Sequence, residues 1–207
     1  MAPSDHELLE AWSGGDASAG QVLVKRHVGS VYGFFRNKLE GEVDDIVQRT
    51  FVACVESLPR FRAEASFRTY LFAIARNTLL MELRTRYRGP TVVDASTDSV
   101  FDLGSRADPS LPSSIEGRRQ QVLLLRALRH MPLDDQIALE LFYWEGLSSR
   151  EIGEVLGRPD ATVRTQLRRA RQRLDTTIAE LGEDAGLVTS TTDGFENWVA
   201  RVREGLG

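Results

Sequence analysis

Residues 89–113, GPTVVDASTDSVFDLGSRADPSLPS, constrain the fold more than any other feature of the chain. They are rich in Asp, Ser, Pro and Gly, and no apolar periodicity runs through them. Loops inside compact domains are mostly short, so a structureless stretch of this length reads as a linker. On both sides the sequence has the spacing and punctuation of helices. A chain of 207 residues divided in this way must form two small units, each near the lower end of domain size.

Helix signals recur along the first unit. Ser4-x-x-Glu7 is a capping box, and Gly14-Gly15 closes the short helix it opens. Asp16 can cap a helix to about Leu39, with Val24, Val28, Val31 and Phe35 on one face. A third helix is expected from about Val43 to Leu58, where Pro59 stops it. Ser66 caps a fourth, with Phe67, Leu71, Ile74 and Thr78 facing inward and Gly89-Pro90 as the stop.

The second unit repeats the logic. Ser113-x-x-Glu116 opens a helix to about Met131, Pro132 breaks it, and another runs to Trp144 before Gly146. Ser148-x-x-Glu151 caps a short helix that ends at Gly157. The long helix that follows carries Val163, Leu167, Ala170, Leu174, Ile178 and Leu181 on one stripe. Strand alternation is absent from the sequence pattern. The expected fold is all-α, with two small helical domains over 1–88 and 114–181, a flexible acidic linker over 89–113, and a tail over 182–207. Within that tail, 193–206 forms a possible amphipathic helix whose Trp198 face suits packing on the second domain or on a partner.

The formal net charge of −4, taken as an average, argues against a nucleic-acid binder, but its layout is uneven. Residues 60–90 sum to +5 and 150–174 to +4, while 1–59, 91–117 and 175–207 sum to −4, −4 and −5. Each basic block holds seven Arg and no Lys. The planar guanidinium donates two parallel hydrogen bonds, which suits phosphates and base edges. One such block could be a solvated helix face; two in an acidic chain point to two contacts with one polyanion.

Residues 148–174, SSREIGEVLGRPDATVRTQLRRARQRL, have the form of a helix-turn-helix. A short capped helix braces a second one, which can enter a major groove. At 100° per residue, Thr165, Arg168 and Gln172 lie opposite the apolar stripe, with Arg169 close to them and Arg164 at the edge. Thr162 belongs to the same N-terminal part of the helix, where side chains reach base edges. Arg171 and Arg173 are better placed for phosphates.

The stretch DDIVQRTFVACVESLPRFRAEASFRTYLFAIARNTLLMELRTRYR, residues 44–88, resembles region 2 of extracytoplasmic-function sigma factors of bacterial RNA polymerase. Residues 131–174, MPLDDQIALELFYWEGLSSREIGEVLGRPDATVRTQLRRARQRL, resemble region 4 of the same family. The resemblance implies a protein that binds core RNA polymerase and directs promoter-specific initiation, with no catalytic activity of its own. Asp44, Asp45, Gln48, Arg49 and Phe51 match the surface that docks on the polymerase clamp. A simpler role for Asp44-Asp45 is favourable charge at a helix N-terminus, and the two roles are compatible. The loop around Arg62 and the helix bearing Asn77, Arg84 and Arg88 match the part that melts and reads the minus-10 element.

The recognition helix would then read the minus-35 element as duplex, and an anti-sigma factor is an expected partner. Extended, residues 89–113 reach roughly 80 Å, against about 85 Å between elements some 25 base pairs apart. The chain departs from the family pattern at Met131, Gln136 and Asp160-Ala161, which leaves the promoter sequence open.

Other classes lack equipment. A Walker loop and a GxGxxG are absent from the sequence, and His6, His27 and His130 are scattered without metal-ligand spacing. The single Cys54 cannot form a disulfide within the chain, and its helical position suits a buried thiol. No cofactor is expected. The N-terminus lacks the features of a signal peptide, and no run of about 18 apolar residues exists, so a cytoplasmic protein without membrane insertion is expected. The rival reading is a stand-alone helix-turn-helix regulator.

Overall fold

The computed structural model describes residues 2–61, 65–86 and 115–182 of the chain, and all regular elements among them are helical. The first half comprises α1 (Asp5–Ser13), α2 (Ala17–Arg36), α3 (Asp44–Ser57), a 3₁₀ turn at Leu58–Arg60, and α4 (Phe67–Arg86). The second half comprises α5 (Ile115–Arg129), α6 (Leu133–Tyr143), α7 (Ser149–Leu156) and α8 (Asp160–Leu181). The expected linker, the Ser113 cap, Arg62, Arg88 and the helix expected at 193–206 lie outside the described residues.

Caps set the helix starts where the sequence places them. Ser4 Oγ accepts from the Glu7 N–H at 3.3 Å, and the Glu7 carboxylate accepts from the Ser4 N–H at 2.7 Å. The same reciprocal box joins Ser148 and Glu151 at 3.3 and 2.9 Å. Asp16 accepts from the N–H groups of Ser18 and Ala19 at 2.9 and 3.3 Å. These bonds occupy donors that a first helical turn otherwise leaves without partners. At α3 the N-cap residue Val43 supplies no such bond, and Asp44 and Asp45 occupy the first turn instead.

The turn between α7 and α8 rests on two glycines. Gly157 ends α7 at φ 67°, in the left-handed region that a Cβ disfavours. A Cβ on Gly153 would stand 2.5 Å from the Arg158 carbonyl oxygen, so the chain can fold back over α7 only because that position is bare.

Burial follows the expected faces with small rotations. On α2, Leu23, Val31, Phe34 and Phe35 are buried while Val28 remains exposed. On α4 the inward positions are Phe67, Leu71, Phe72, Ala75 and Leu79, with Ile74 and Thr78 only half-buried. Cys54 is fully buried, and burial pushes its thiol up to about 12.

The two halves pack on one another, a contact that sequence spacing does not disclose. Six consecutive residues of α6, Gln136 to Leu141, are buried. A helix buried all round needs covering on every side. Ile137, Ala138 and Leu141 belong to the apolar cluster of the first half, together with Ile152, Val155 and Leu156 of α7. Leu139 turns to a second cluster built from α5 and from Ala170, Leu174 and Ile178 of α8.

Candidate nucleic-acid interface

The first turns of α8 form the better defined basic surface. Val163, Ala170, Leu174 and Ile178 are buried, so the helix can present only its other side. Thr162, Arg164, Thr165, Arg168, Arg169 and Gln172 are all exposed on that side. Arg168 and Arg169 have no ion-pair partner among the described residues, which leaves their guanidinium forks available for an external acceptor. Arg164 is paired with Asp160 one turn earlier. Asp160 also accepts from Ser149 Oγ at 2.5 Å, so the start of α8 is tied to the start of α7.

The two arginines expected at phosphates are engaged within the chain. Arg171 Nε donates to both Asp175 carboxylate oxygens at 3.1 and 3.2 Å, and its guanidinium lies 6.0 Å from the Tyr143 ring centre. Arg173 pairs with Asp135 of α6. Gln136, read in the sequence as a departure bearing on promoter choice, is buried and donates to the Asn37 carbonyl at 3.2 Å and to Glu140 at 3.1 Å. It supports the contact between halves and does not belong to the exposed face of α8.

On α4 the basic residues diverge. Asn77 and Arg84 are exposed, and Arg84 has no ion-pair partner among the described residues. Arg86 is held by Glu82 at 2.9 Å and by the Glu40 carbonyl at 3.1 Å. Arg68 and Arg76 point at the second half: Arg68 donates to the Glu145 carbonyl at 2.6 Å, and Arg76 to Asp134 at 3.2 Å. Of the aromatic residues near the α4 start, Phe67 is core at 4% exposure. Phe61 and Tyr70 are half-buried with ring centres 4.5 Å apart, and the Tyr70 hydroxyl bonds Ser57 at 2.5 Å.

A third surface lies on α3. Asp44, Asp45, Gln48 and Arg49 are exposed, and Arg49 reaches Glu82 of α4 at 2.6 Å. Glu82 thus holds arginines from two elements, and these bonds keep its carboxyl below the usual range. Phe51, grouped with the docking residues in the sequence, is buried and anchors α3 to the core. The apolar residues that α3 does expose are Val52 and Val55. Val52 borders a shallow depression with Asp45, Gln48, Arg49, Ala53 and Glu56. Their exposure was missed because helical spacing places them off the buried face without saying that apolar side chains there stay uncovered.

Among the described residues no group of His, Cys, Asp and Glu is arranged to hold a metal ion, and no helix is long and apolar enough to cross a membrane. His27 is buried against Asp5, whose carboxyl it lowers to about 2 together with Arg26.

A helix-turn-helix with a free arginine face, joined to a second helical unit with its own basic helix, defines a two-part DNA-binding protein. Comparison with known proteins narrows the class. Residues 23–89 match the family model described as Sigma-70 region 2, and residues 121–174 match Sigma-70, region 4. The ECF RNA polymerase sigma-E factor of Haemophilus influenzae is 30% identical over 183 residues, covering 86% of this chain and 97% of that protein. A solved structure of CnrH in complex with the cytosolic domain of CnrY is 26% identical, with a TM-score of 0.62 over 86% of this chain and 99% of the other. The structure of sigma factor RpoE with the anti-sigma factor NepR from Bartonella quintana shares the fold, at 19% identity and a TM-score of 0.58 over 77% of this chain and 96% of that one. The chain belongs to the ECF family of RNA polymerase sigma factors.

Proposed function

We propose that this sigma factor divides promoter recognition between its two basic helices. The observation that carries this reading is the free arginine face of α8 on a braced helix-turn-helix, set beside a second basic helix in a separate half. Arg168 and Arg169, with Thr162, Arg164, Thr165 and Gln172 around them, read the minus-35 element as duplex through base edges. Asn77 of α4 and the loop around Arg62 read an unpaired minus-10 base, because an unstacked base exposes its full Watson–Crick edge. Arg84 and Arg88 supply phosphate contacts there. Asp44, Asp45, Gln48 and Arg49 meet the polymerase clamp, with Phe51 holding their helix in place. Domain limits at 1–88 and 114–181, with 89–113 as linker and 182–207 as tail, suit this division.

The factor acts in the cytoplasm, where core polymerase works, and contributes no catalysis itself. An anti-sigma factor is its proposed inhibitor, a reading supported by the similar structures of CnrH with the cytosolic domain of CnrY and of sigma factor RpoE with the anti-sigma factor NepR, each solved with a bound protein partner. Run-off transcription with purified core polymerase on a genomic fragment library tests the reading. Specific transcripts that require the added chain are expected. A stand-alone regulator would instead bind duplex operator unaided and would not co-purify with core polymerase.

A further inference from the structure

The first turn of α6 ties down the helix that follows the turn. Asp134 and Asp135 occupy that first turn, and Pro132 before them gives no side-chain cap. Asp134 Oδ2 accepts from Arg158 at 2.5 Å, and Asp135 Oδ1 accepts from the Gln166 amide at 3.0 Å. The other prong of the Arg158 fork donates to Gln166 Oε1 at 2.7 Å. One chain of bonds therefore runs from α6 through the α7–α8 turn onto α8. Arg173 adds a second contact from α8 to Asp135.

These bonds bear on how α8 lies. Its N-cap residue, Pro159, supplies no side-chain bond, and its buried contact is the stripe Val163, Ala170, Leu174 and Ile178. One narrow stripe alone lets a helix roll about its axis. Gln166 and Arg173 are seven residues apart, so they share one edge of α8, and both end on Asp135. Arg169 lies about 60° and Arg168 about 160° round the helix from Gln166. The roll that this edge fixes thus sets where both guanidiniums point. Directed recognition is exacting, since such groups must be held within about 0.5 Å and 10–20° of their productive geometry.

Its place among the polar residues of α8 makes Gln166 resemble one more base reader. Its amide oxygen and nitrogen are both engaged within the chain. Arg158 precedes the helix, and its backbone N–H donates to the Gly153 carbonyl at 2.8 Å. A lysine there would keep the charge and lose the two-pronged reach. Singly, such half-exposed bonds stabilise little. Joined, they hold α8 to one orientation. We propose that Arg158 and Gln166, anchored on Asp134 and Asp135, are positioning residues for minus-35 recognition: they lock the roll of α8 so that Arg168 and Arg169 meet base edges, and touch no base themselves.

The proposal deepens the reading of α8 as the duplex-binding helix and rests on it. Run-off transcription by holoenzyme is measured on one promoter and on every single-base-pair variant of its minus-35 element. Wild type is compared with Arg168→Ala, Arg158→Met, Gln166→Leu and the double variant Arg158→Met/Gln166→Leu. Asp134 is left untouched because it also accepts from Arg76 of α4. Ratios between templates are read, so a smaller folded fraction, which lowers all templates alike, does not register. Arg168→Ala should lose preference at about one or two adjacent base pairs. Arg158→Met and Gln166→Leu should each reduce preference about three- to tenfold at positions along the whole element. The double variant should be no worse than the worse single one, because both break the same link. The salt slope should match wild type, since no phosphate contact is lost.

If Gln166→Leu loses helicity by circular dichroism, Gln166→Glu takes its place with the same expectation. That variant keeps the acceptor for Arg158 and sets a carboxylate against Asp135. A loss confined to one base pair in the Gln166 variant, with Arg158→Met behaving as wild type, makes Gln166 a direct reader and overturns the proposal. Wild-type preference in both single variants, or additive losses in the double, overturns it as well. A wild-type profile with no preference anywhere in the element overturns the reading of α8 itself, and the proposal with it.

Discussion

The two basic helices carry similar charge and use it differently. In α8 the apolar stripe is narrow, and Arg168 and Arg169 stand free in solvent. In α4, Arg68 and Arg76 are spent on the second half and Arg86 is held by Glu82, while Asn77 and Arg84, the expected contacts among the described residues, are exposed. A helix that reads duplex from outside can be preformed. One whose arginines are engaged within the chain presents fewer free donors to a partner. Arginine content alone does not distinguish these states; the partner of each guanidinium does.

The sharpest way to break the comparison is to remove polymerase docking. Asp44→Arg/Asp45→Arg should abolish core polymerase binding in pull-down while the far-ultraviolet circular dichroism stays helical and full-chain binding to a minus-35 duplex is retained. Retained polymerase affinity would sink the α3 assignment, and loss of fold would leave those carboxylates a structural role only.

A smaller but still large effect is expected at the turn. Gly153→Val must displace the Arg158 carbonyl and should cost about 3 kcal/mol of stability, with duplex binding falling more than the α4 function. Equal loss in both would show that the turn does not set α8 separately.

Substitutions on the reading faces sharpen the contrast. Arg168→Ala should lose about 1–3 kcal/mol of discrimination among minus-35 variants, with Arg164→Ala losing less because Asp160 already engages that side chain. Unchanged preference in both variants means α8 does not read bases. On promoters with a pre-melted bubble, Asn77→Ala should flatten minus-10 base preference. Arg84→Ala should weaken all templates alike and reduce the logarithmic salt slope by about one. If Asn77→Ala keeps the preference on the bubble, that amide is a surface group and the pocket lies in the loop.

The smallest effect is electrostatic and confined to the first half. Asp5 is lowered to about 2 from 3.8 by its bonds to His27 and Arg26. Its contribution is present in full above the ordinary carboxyl value and fades as pH falls through the folded value. The stability gap between wild type and Asp5→Asn, measured by urea unfolding, should therefore shrink from pH 5 towards pH 2. A gap independent of pH would mean the site acts through packing.

Helix positions and the free face of α8 were legible because they depend on neighbours in sequence. Ser4, Asp16, Ser148 and Gly157 act within one turn of themselves, and the Val163–Ala170–Leu174 stripe fixes where Arg168 must point. Phe51, Gln136, Arg171 and Arg173 were misjudged or left open because their partners come from other elements or from a competing acid nearby. Gly153 carried no signal, since its need is set by a carbonyl five residues on that returns over the helix.

By itself the sequence determined an all-α chain in two parts, with a braced basic helix in the second and a basic helix in the first. Those features follow from helical periodicity and from hydrogen bonds spanning four residues or fewer. Only the tertiary structure decided that Lys38 meets Glu140 across 102 positions, and that Arg68 and Arg76 face inward while Arg84 does not. The physical reason is that burial and charge pairing across a seam depend on which surfaces meet, and no local spacing encodes that choice.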